Sequence, residues 1–471
     1  MIDLVLRHRD DRLALIAPAE GIRLTYAELG ARVDQVAERL LAVLGGDRRL
    51  VFLAPGADVG AVLLYLGCLR AGLPVCLVES QPDPLARLAR AYQPALVLVP
   101  DALATPEGWT RGISPVAGYI AALDQGPVEQ ALHPQLALLL TTSGSTGSPK
   151  LVRLTARNLE SNAKAIAEYL DLGPGERAVQ SLPIHYSYGL SVLNSHLVAG
   201  GTVVLTPHSF MRPEFWRDAD EQRATSFAGV PYMYETLHRL RFEPGTHPTL
   251  RTFTQAGGAL RRDLVVHFHA SATKAGARLV VMYGQTEATA RISYVPPDRL
   301  GDKVGAIGVP IPGGRLRLEP LDASEGAAQL VYEGDNVMMG YAEAPADLAL
   351  GDIQHGLLRT GDLGTVDEDG YFSLVGRLKR FAKLFGRRVS LEDVERELES
   401  SFPVRAIATD AGERLRVHLA VDSAVSDDTL VAHLARFLAV PPATIMLRRV
   451  AELPLTASGK KDYRAAAEAA R

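Results

Sequence analysis

Residues 136–150 of this chain read Leu-Ala-Leu-Leu-Leu-Thr-Thr-Ser-Gly-Ser-Thr-Gly-Ser-Pro-Lys. An apolar run, typical of a buried strand, leads directly into a loop that is rich in glycine and hydroxyl groups and ends in a lysine. Beyond the loop, apolar residues recur at helical spacing at Leu159, Ala163, Ile166 and Leu170. The order of strand, loop and helix predicts layered α/β architecture with a ligand site at the loop.

The chemistry of this loop suits a chain of phosphates. Its two central glycines let the backbone approach a bound anion closely, and its hydroxyl groups and terminal lysine supply donors and a positive charge. The predicted phosphate contacts are Thr142, Ser143, Gly144, Ser145, Thr146, Gly147 and Lys150. A Walker A loop ends in Gly-Lys-Ser/Thr, so Pro149 disfavours a P-loop kinase. The alternative interpretation is a flexible linker.

The composition argues against several other classes of protein. At 471 residues the chain is too long for one hydrophobic core, which predicts at least two domains. The net charge of −4 shows no basic excess, so nucleic acid and anionic membrane surfaces are not expected as partners. The cysteines are Cys68 and Cys76, and we expect two packed, inert thiols in a reducing compartment.

The charged N-terminus and the short apolar segments predict a cytoplasmic protein. Residues 1–18 carry early charges and lack the long apolar region of a signal peptide. The longest apolar stretch, near residues 61–69, is too short to cross a bilayer. We therefore expect no membrane span.

A change in composition near residue 375 predicts a domain boundary. Short apolar strands alternate with amphipathic helices up to that point, and a basic cluster without a long apolar run follows. A compact unit then begins with a helix capped by Ser390. The expected fold is a large α/β domain of layered sheets and helices over residues 1–378, with a smaller α/β domain over residues 379–471.

The glycine loop resembles the phosphate loop of the adenylate-forming superfamily, which includes acyl-CoA synthetases, adenylation domains of peptide synthetases and luciferases. The segment Tyr283-Gly284-Gln285-Thr286-Glu287 follows an apolar strand and is similar to a nucleotide-binding segment of that family. The resemblance implies that Thr286 touches phosphate and that Glu287 holds Mg²⁺. A carboxylate is the kind of ligand that this hard cation prefers.

Three further segments follow in the order that the family has. Thr360-Gly-Asp362 resembles the segment whose Asp binds the ribose hydroxyls, and the Gly-Arg that follows implies that Arg377 also reaches the nucleotide. Residues 454–460 resemble the segment that carries the catalytic lysine, here Lys460. A lysine near the carboxylate and the α-phosphate offsets charge that crowds the transition state. Together these segments extend the resemblance over nearly the whole chain.

Supporting segments outline the pocket for the acid. Gly257 and Gly258 resemble the strand end that packs beside adenine and the acyl carboxylate. The family pattern in residues 183–189 places Tyr186, rather than His185, between the acyl pocket and the thiol tunnel. The candidate pocket residues are Tyr186, Ser187, Phe227 and Val230. Residues 183–189 lack the acid that binds an α-ammonium in peptide synthetases, which implies an aryl or acyl substrate.

The resemblance also implies that the C-terminal domain is mobile. Lys379 occupies the hinge position, about which the small domain turns between adenylation and thioester formation. Gly386 resembles a residue that lines the pantetheine tunnel after the turn. Either coenzyme A or the phosphopantetheine arm of an acyl carrier protein therefore fits as the acyl acceptor.

The function implied by the resemblance is activation of a carboxylic acid by ATP and Mg²⁺, with release of pyrophosphate and transfer of the acyl group to a thiol. Two alternatives stay open. The acyl adenylate could be passed to an amine or oxidised, or the chain could be a nucleotide-binding scaffold without catalysis. The presence of both Glu287 and Lys460 argues against the scaffold.

Overall fold

The computed structural model describes residues 1–103, 109–123, 130–141, 150–321, 328–378, 381–384, 387–412, 414–421, 425–438, 440–456 and 461–468. Its strands are β1 (Leu13–Ala17), β2 (Ile22–Thr25), β3 (Val51–Leu53), β4 (Val75–Leu77), β5 (Leu96–Pro100), β6 (Thr110–Gly112), β7 (Tyr119–Leu123), β8 (Leu136–Thr141), β9 (Leu151–Thr155), β10 (Arg177–Gln180), β11 (Thr202–Leu205), β12 (Ser226–Gly229), β13 (Thr252–Gln255), β14 (Arg278–Tyr283), β15 (Ser293–Tyr294), β16 (Val309–Pro310), β17 (Arg315–Pro320), β18 (Ala328–Glu333), β19 (Gly340–Ala342), β20 (Leu357–Val366), β21 (Phe372–Arg377), β22 (Phe381–Leu384), β23 (Arg387–Ser390), β24 (Val404–Asp410), β25 (Leu415–Val421) and β26 (Ile445–Val450). Its helices are α1 (Ile2–Leu6), α2 (Tyr26–Val43), α3 (Val59–Arg70), α4 (Pro82–Tyr92), α5 (Ala156–Tyr169), α6 (Ser187–Val198), α7 (Pro213–Glu221), α8 (Pro231–Arg239), α9 (Arg262–Lys274), α10 (Leu391–Ser401), α11 (Asp427–Leu438) and α12 (Tyr463–Glu468).

The chain divides into two compact units. The N-terminal unit comprises Met1–Arg315 and Tyr332–Leu358, and the C-terminal unit comprises Leu316–Val331 and Arg359–Arg471. The strands that precede residue 379 thus contribute to both units, and the predicted boundary at that residue stays a prediction.

Two large sheets form the framework of the N-terminal unit. One has the strand order β16-β15-β14-β13-β12-β10-β11-β1-β2, and its six central strands are parallel. The other has the order β19-β9-β8-β4-β3-β5-β7-β6, with β8, β4, β3 and β5 parallel. Parallel strands covered on both faces read as apolar runs, which is why they were recognisable in the sequence.

The core of the N-terminal unit is shared by both sheets. Buried side chains of α2, α3 and α6 lie together with those of β1, β3, β4, β8 and β11. The predicted capping box is confirmed, because the Thr25 hydroxyl accepts a bond from the backbone N–H of Glu28 and the Glu28 carboxylate accepts one in return. Both cysteines are buried free thiols, and burial raises the pKa of Cys68 to about 12, which makes this thiol inert.

One prediction about the glycine loop is wrong. The loop does not lead straight into a helix, because β9 pairs antiparallel with β8 before α5 begins. The sequence pattern did not indicate β9, because the charged Arg153 lies in the middle of its five residues and interrupts the apolar run. The guanidinium of Arg153 is fully buried and donates to the backbone carbonyls of Tyr341, Met339 and Gly351.

The C-terminal unit has its own core. Most of the sheet β17-β18-β20-β21 belongs to it, together with the hairpin β22-β23 and the sheet β24-β25-β26. Leu391, Val394 and Leu398 of α10 are buried against β24, β25 and α11, as the helical spacing predicts. Among the described residues, no helix is long and apolar enough to cross a membrane.

Candidate active site

Lys150 lies at the point where the chain leaves the glycine loop. The two ends of the loop lie side by side because β8 and β9 pair antiparallel. Lys150 Nζ lies 3.4 Å from the ring centroid of Tyr341 and 3.4 Å from Oε1 of Glu343. An aromatic face attracts a cation through the ring quadrupole. The other predicted phosphate contacts, residues 142–147, lie outside the described residues.

Tyr341 joins Lys150 to the predicted metal ligand. Its hydroxyl donates a hydrogen bond to Oε1 of Glu287 at 2.7 Å. Burial, together with the negative charge of Glu287, raises the pKa of Tyr341, so its hydroxyl keeps the proton that it donates. We call Lys150, Glu287, Tyr341 and Glu343 the phosphate-side cluster. It brings a cation and a carboxylate onto one tyrosine.

The segment after β14 is shaped by a close approach of the backbone. A Cβ atom at Gly284 would lie 1.8 Å from the carbonyl oxygen of Ala290, so only glycine fits there. The chain then turns, and Oγ1 of Thr286 lies 3.2 Å from Oγ of Ser187. A predicted nucleotide contact and a predicted pocket residue therefore meet.

Other predicted nucleotide contacts lie at the ends of two neighbouring strands. Gln285 Nε2 donates to the hydroxyl of Tyr283 at 3.1 Å, just beyond β14. Beyond β13, Gly257 has a φ of +87°, and the side chain of Gln255 donates to the carbonyl of Gly258 at 2.8 Å. Because β13 and β14 are parallel, both ends lie at the same edge of the sheet, where ligands of open α/β sheets bind.

The donor set at this edge fits a magnesium ion bound together with phosphates. Within the described ranges, no group of three His, Cys, Asp or Glu side chains could hold a metal by itself. Mg²⁺ at nucleotide sites usually takes one or two protein carboxylates and completes its shell with phosphate oxygens and water. Glu287, held by Tyr341, meets that requirement.

The candidate pocket residues lie at helix starts and in the core. Tyr186 precedes α6, and its ring packs edge-on against Tyr188 at 6.3 Å. Val230 is buried and precedes α8. Phe227 is fully buried in an aromatic cluster with Phe215, Trp216, Tyr234 and Phe253. Tyr186 and Val230 thus lie at element ends, whereas Phe227 packs in the interior.

His185 is neutral at physiological pH. Burial lowers its pKa to about 4, and within the described part of the chain its Nδ1 atom is buried without a hydrogen-bond partner. Nearby in the fold, the guanidinium of Arg291 lies 4.0 Å from the ring centroid of Tyr188. His185 therefore carries no positive charge, whereas Arg291 is a buried cation that packs on the ring of Tyr188.

The predicted ribose contacts pair with each other in the C-terminal unit. Asp362 and Arg377 lie opposite each other on β20 and β21, and Arg377 Nε lies 2.7 Å from Oδ1 of Asp362. The carboxylate is buried whereas the guanidinium is half exposed. The hydroxyl of Thr360 accepts a bond from the backbone N–H of Asp362 at 3.0 Å, and Gly361 has a φ of +75°.

Three predicted functional residues, Lys379, Gly386 and Lys460, lie outside the described residues. The sequence interpretation also missed Tyr341. The only signal in the sequence was the segment Gly340-Tyr341, an aromatic residue beside a glycine after a strand, which is too common to select by itself. Its role follows from the pairing of β19 with β9, which places Tyr341 beside the end of the glycine loop.

A family model described as AMP-binding enzyme matches residues 3–342. A feruloyl-CoA synthase from an Amycolatopsis species is 32% identical over 468 residues, covering 93% of this chain and 92% of the relative. A sulfoacetate–CoA ligase from Cupriavidus necator is 30% identical and covers 96% of this chain and 93% of the relative.

Solved structures agree with the fold. The ATP-bound crystal structure of MatB from Rhodopseudomonas palustris superposes with a TM-score of 0.79 at 26% identity, covering 99% of this chain and 98% of that one. O-succinylbenzoate coenzyme A synthetase from Bacillus subtilis, in complex with AMP, gives a TM-score of 0.80 at 22% identity, covering 98% and 96%.

These findings confirm three predictions: the superfamily, the α/β fold class and the class of acid–thiol ligase. The individual site residues stay predictions. Because the family model matches most of the chain and relatives at 30% and 32% identity match it nearly end to end, this chain belongs to the family of AMP-binding enzymes.

Proposed function

We propose that this protein joins a carboxylic acid without a free α-amine to AMP and then transfers the acyl group to the thiol of coenzyme A. The observation that carries the proposal is the phosphate-side cluster. Lys150, at the end of the glycine loop, and Glu287 both contact Tyr341. This contact brings together a cation that can bind phosphate and a carboxylate that can bind Mg²⁺. Full-length relatives that are CoA synthases and ligases support the choice of acceptor.

In the first step, a carboxylate oxygen of the acid bonds to the α-phosphorus of ATP, and the bond from that phosphorus to the bridging oxygen breaks. Pyrophosphate leaves. We assign the phosphates to residues 142–150 and the ribose to Asp362 and Arg377. Glu287 would hold Mg²⁺, which when bound would supply positive charge to the departing phosphates. Lys460 neutralises the reacting oxygens, so positioning and electrostatics supply most of the rate enhancement.

In the second step, the thiol sulfur bonds to the acyl carbonyl carbon, the bond to the AMP oxygen breaks, and the thiol proton passes to water. We assign a hinge to Lys379 and a contact with the thiol arm to Gly386. A carrier-protein arm is the second candidate acceptor. It is favoured by a match to a linear gramicidin synthase of Brevibacillus parabrevis, which is 28% identical over 97% of this chain and only 6% of that protein.

The substrate class is proposed from the pocket segment and from the relatives. Residues 183–189 contain no acidic side chain that could bind an α-ammonium group. The named relatives act on feruloyl and sulfoacetate groups, one aryl and one short and anionic. We propose an aryl or short acyl acid and assign the pocket to Tyr186, Ser187, Phe227 and Val230.

The test is acid-dependent release of pyrophosphate from Mg-ATP. The panel contains aryl acids, short-chain acids with and without a second anionic group, long-chain acids and free amino acids, each with and without coenzyme A. Release by one non-amino acid class, stimulated by coenzyme A, is the expected result. Release by amino acids alone would contradict the proposed substrate, and release without stimulation would favour the carrier arm. If no acid in the panel causes release of pyrophosphate, adenylation is contradicted.

A variant of Lys460 separates the two half-reactions. Lys460→Ala should lose adenylation and largely keep thioester formation from supplied acyl-AMP, because the lysine is assigned to the first step alone. Equal loss of both half-reactions would contradict this assignment and the proposed hinge.

A further inference from the structure

A buried ion network holds the residue that follows the predicted catalytic lysine. Lys461 Nζ lies 3.0 Å from Oε2 of Glu395 and 2.8 Å from Oε1 of Glu399. The side chains are 21%, 5% and 20% exposed, respectively. The two glutamates are one turn apart on α10, where like charges repel unless a cation lies between them.

The same carboxylates are anchored to the neighbouring strand. Oε1 of Glu395 accepts a bond from the backbone N–H of Ala408 at 2.9 Å, and Oε1 of Glu399 accepts one from Ala406 at 2.9 Å. Burial by itself lowers the pKa of Lys461, but the two glutamates more than offset this and raise its pKa, so the ammonium stays charged. We call Lys461, Glu395 and Glu399 the carboxylate clamp. It ties Lys461 to a helix and a strand at once.

The clamp lies at the base of the segment that carries Lys460. Leu455 and Lys461 face each other as an isolated antiparallel bridge, and the backbone N–H of Asp462 donates to the carbonyl of Pro454 at 2.8 Å. The two ends of the segment therefore meet. Immediately after it, Oδ1 of Asp462 accepts a bond from the N–H of Ala465 in the first turn of α12.

We propose that Lys461 is a positioning residue for adenylation: with Glu395 and Glu399 it holds the base of residues 454–461 and thereby sets where Lys460 is presented. This inference rests on the proposed function, which assigns Lys460 to the first half-reaction. A reacting geometry must be held to about half an ångström, and a displacement of about 1 Å costs on the order of 100-fold in rate. Lys461 binds no substrate in this proposal and acts through its neighbour.

The two half-reactions test the proposal. Lys461→Met should lower the kcat of adenylation by on the order of 100-fold. Thioester formation from supplied acyl-AMP should change by less than threefold. Lys461→Arg, which keeps the charge, should recover most of the adenylation rate. Equal loss in both half-reactions would show a merely structural role, and no loss in either would also overturn the proposal.

Hydrogen exchange gives a second readout that does not depend on catalysis. A peptide covering residues 454–462 should exchange at least tenfold faster in Lys461→Met, while peptides of β25 and α11 keep their rates. Unchanged exchange in residues 454–462 would overturn the anchor. The matched control is Arg449→Met, which breaks an exposed ion pair with Asp427 in the same unit and should leave both readouts unchanged. If the wild-type protein adenylates no acid, the proposed function fails instead, whatever exchange shows.

Discussion

Lys150 and Lys461 occupy similar places in the chain and opposite environments. Each follows a short segment that contains glycine and hydroxyl groups. Lys150 is assigned to phosphate binding, and Lys461 is proposed to position the lysine before it. Lys150 rests on an aromatic face, and its carboxylate neighbour Glu343 is 61% exposed. Lys461 is held between Glu395 and Glu399, which are 5% and 20% exposed. A cation that binds a ligand needs partners that it can leave, whereas a cation that anchors a loop does not.

The energies of the two environments differ accordingly. An exposed ion pair contributes about 0–1 kcal/mol, so Lys150 can exchange Glu343 for a phosphate at little cost. Removing one partner of a buried pair costs about 3–5 kcal/mol, because a charge is left without compensation. Substitutions in the phosphate-side cluster should therefore alter activity, and substitutions in the carboxylate clamp should alter both stability and positioning.

The largest effect is expected at Glu287. Glu287→Gln keeps the shape of the side chain and its bond with Tyr341 but removes the charge for Mg²⁺. We expect kcat for adenylation to fall by roughly 10²–10³-fold, since one transition-state electrostatic contact is worth that much. Pyrophosphate release at increasing Mg²⁺ measures it. The midpoint of thermal unfolding of the variant should hardly differ from that of the wild type. A large fall would show that Glu287 stabilises the fold, as the clamp residues do, and would contradict a role limited to Mg²⁺ binding.

The next largest effect is expected at the clamp. Glu395→Gln should lower the free energy of unfolding by about 3 kcal/mol, because it leaves a buried ammonium with one partner fewer. Urea unfolding, followed through the C-terminal unit, measures the change. The matched control is Glu343→Gln, which removes an exposed partner of Lys150 and should cost less than about 1 kcal/mol. Equal losses of unfolding free energy in Glu395→Gln and Glu343→Gln would contradict the difference between the buried and the exposed ion pairs.

At acid pH, burial shifts the pKa of a group without charged partners differently from that of a group with them. Burial lowers the pKa of His185 to about 4, so the unfolded chain, with a pKa of about 6.5, binds the proton more tightly. Stability is therefore lost as pH falls from about 6.5 towards 4, by up to about 3 kcal/mol. His185→Gln should abolish that part of the loss, as urea midpoints at pH 7 and pH 4 will show. Identical losses in variant and wild type would contradict the shift.

Lys461 has the opposite dependence on pH. The pKa of Lys461 is raised by its glutamates, so its contribution is fully present below the unfolded pKa of about 10.4 and is lost only as pH rises through the still higher folded value. The ammonium itself should therefore stay charged over the acid range in which His185 titrates.

The smallest effect is expected at the Tyr341 hydroxyl. Tyr341→Phe keeps the ring under Lys150 and removes the bond to Glu287. A hydrogen bond to a charged group is worth about 1.5–3 kcal/mol, so kcat/KM for Mg-ATP should fall by on the order of tenfold or more. Tyr341→Leu should cost more, because it removes the ring as well. If both variants behave like wild type, Tyr341 does not organise the cluster.

Local sequence patterns predicted most helices and strands, but they predicted poorly which elements and side chains contact each other in the fold. The capping box at Thr25, the helical face of α10 and the apolar strands were readable because short-range spacing determines them. β9 was missed because Arg153 breaks its apolar pattern, and only the carbonyls of a distant segment explain why that arginine is buried. Tyr341 was missed for a related reason, since it lies far along the chain from both Lys150 and Glu287.

Local sequence motifs were sufficient to predict the family, the order of the binding segments and the chemistry of each, because the residue types of a motif dictate what it can bind. Which charged side chains share a partner depends on the tertiary structure. Strand pairing between β9 and β19 placed Tyr341 under Lys150, and the packing of α10 on β24 placed two glutamates around Lys461. Contacts between residues far apart in the chain depend on sheet register and helix packing, which local spacing does not encode.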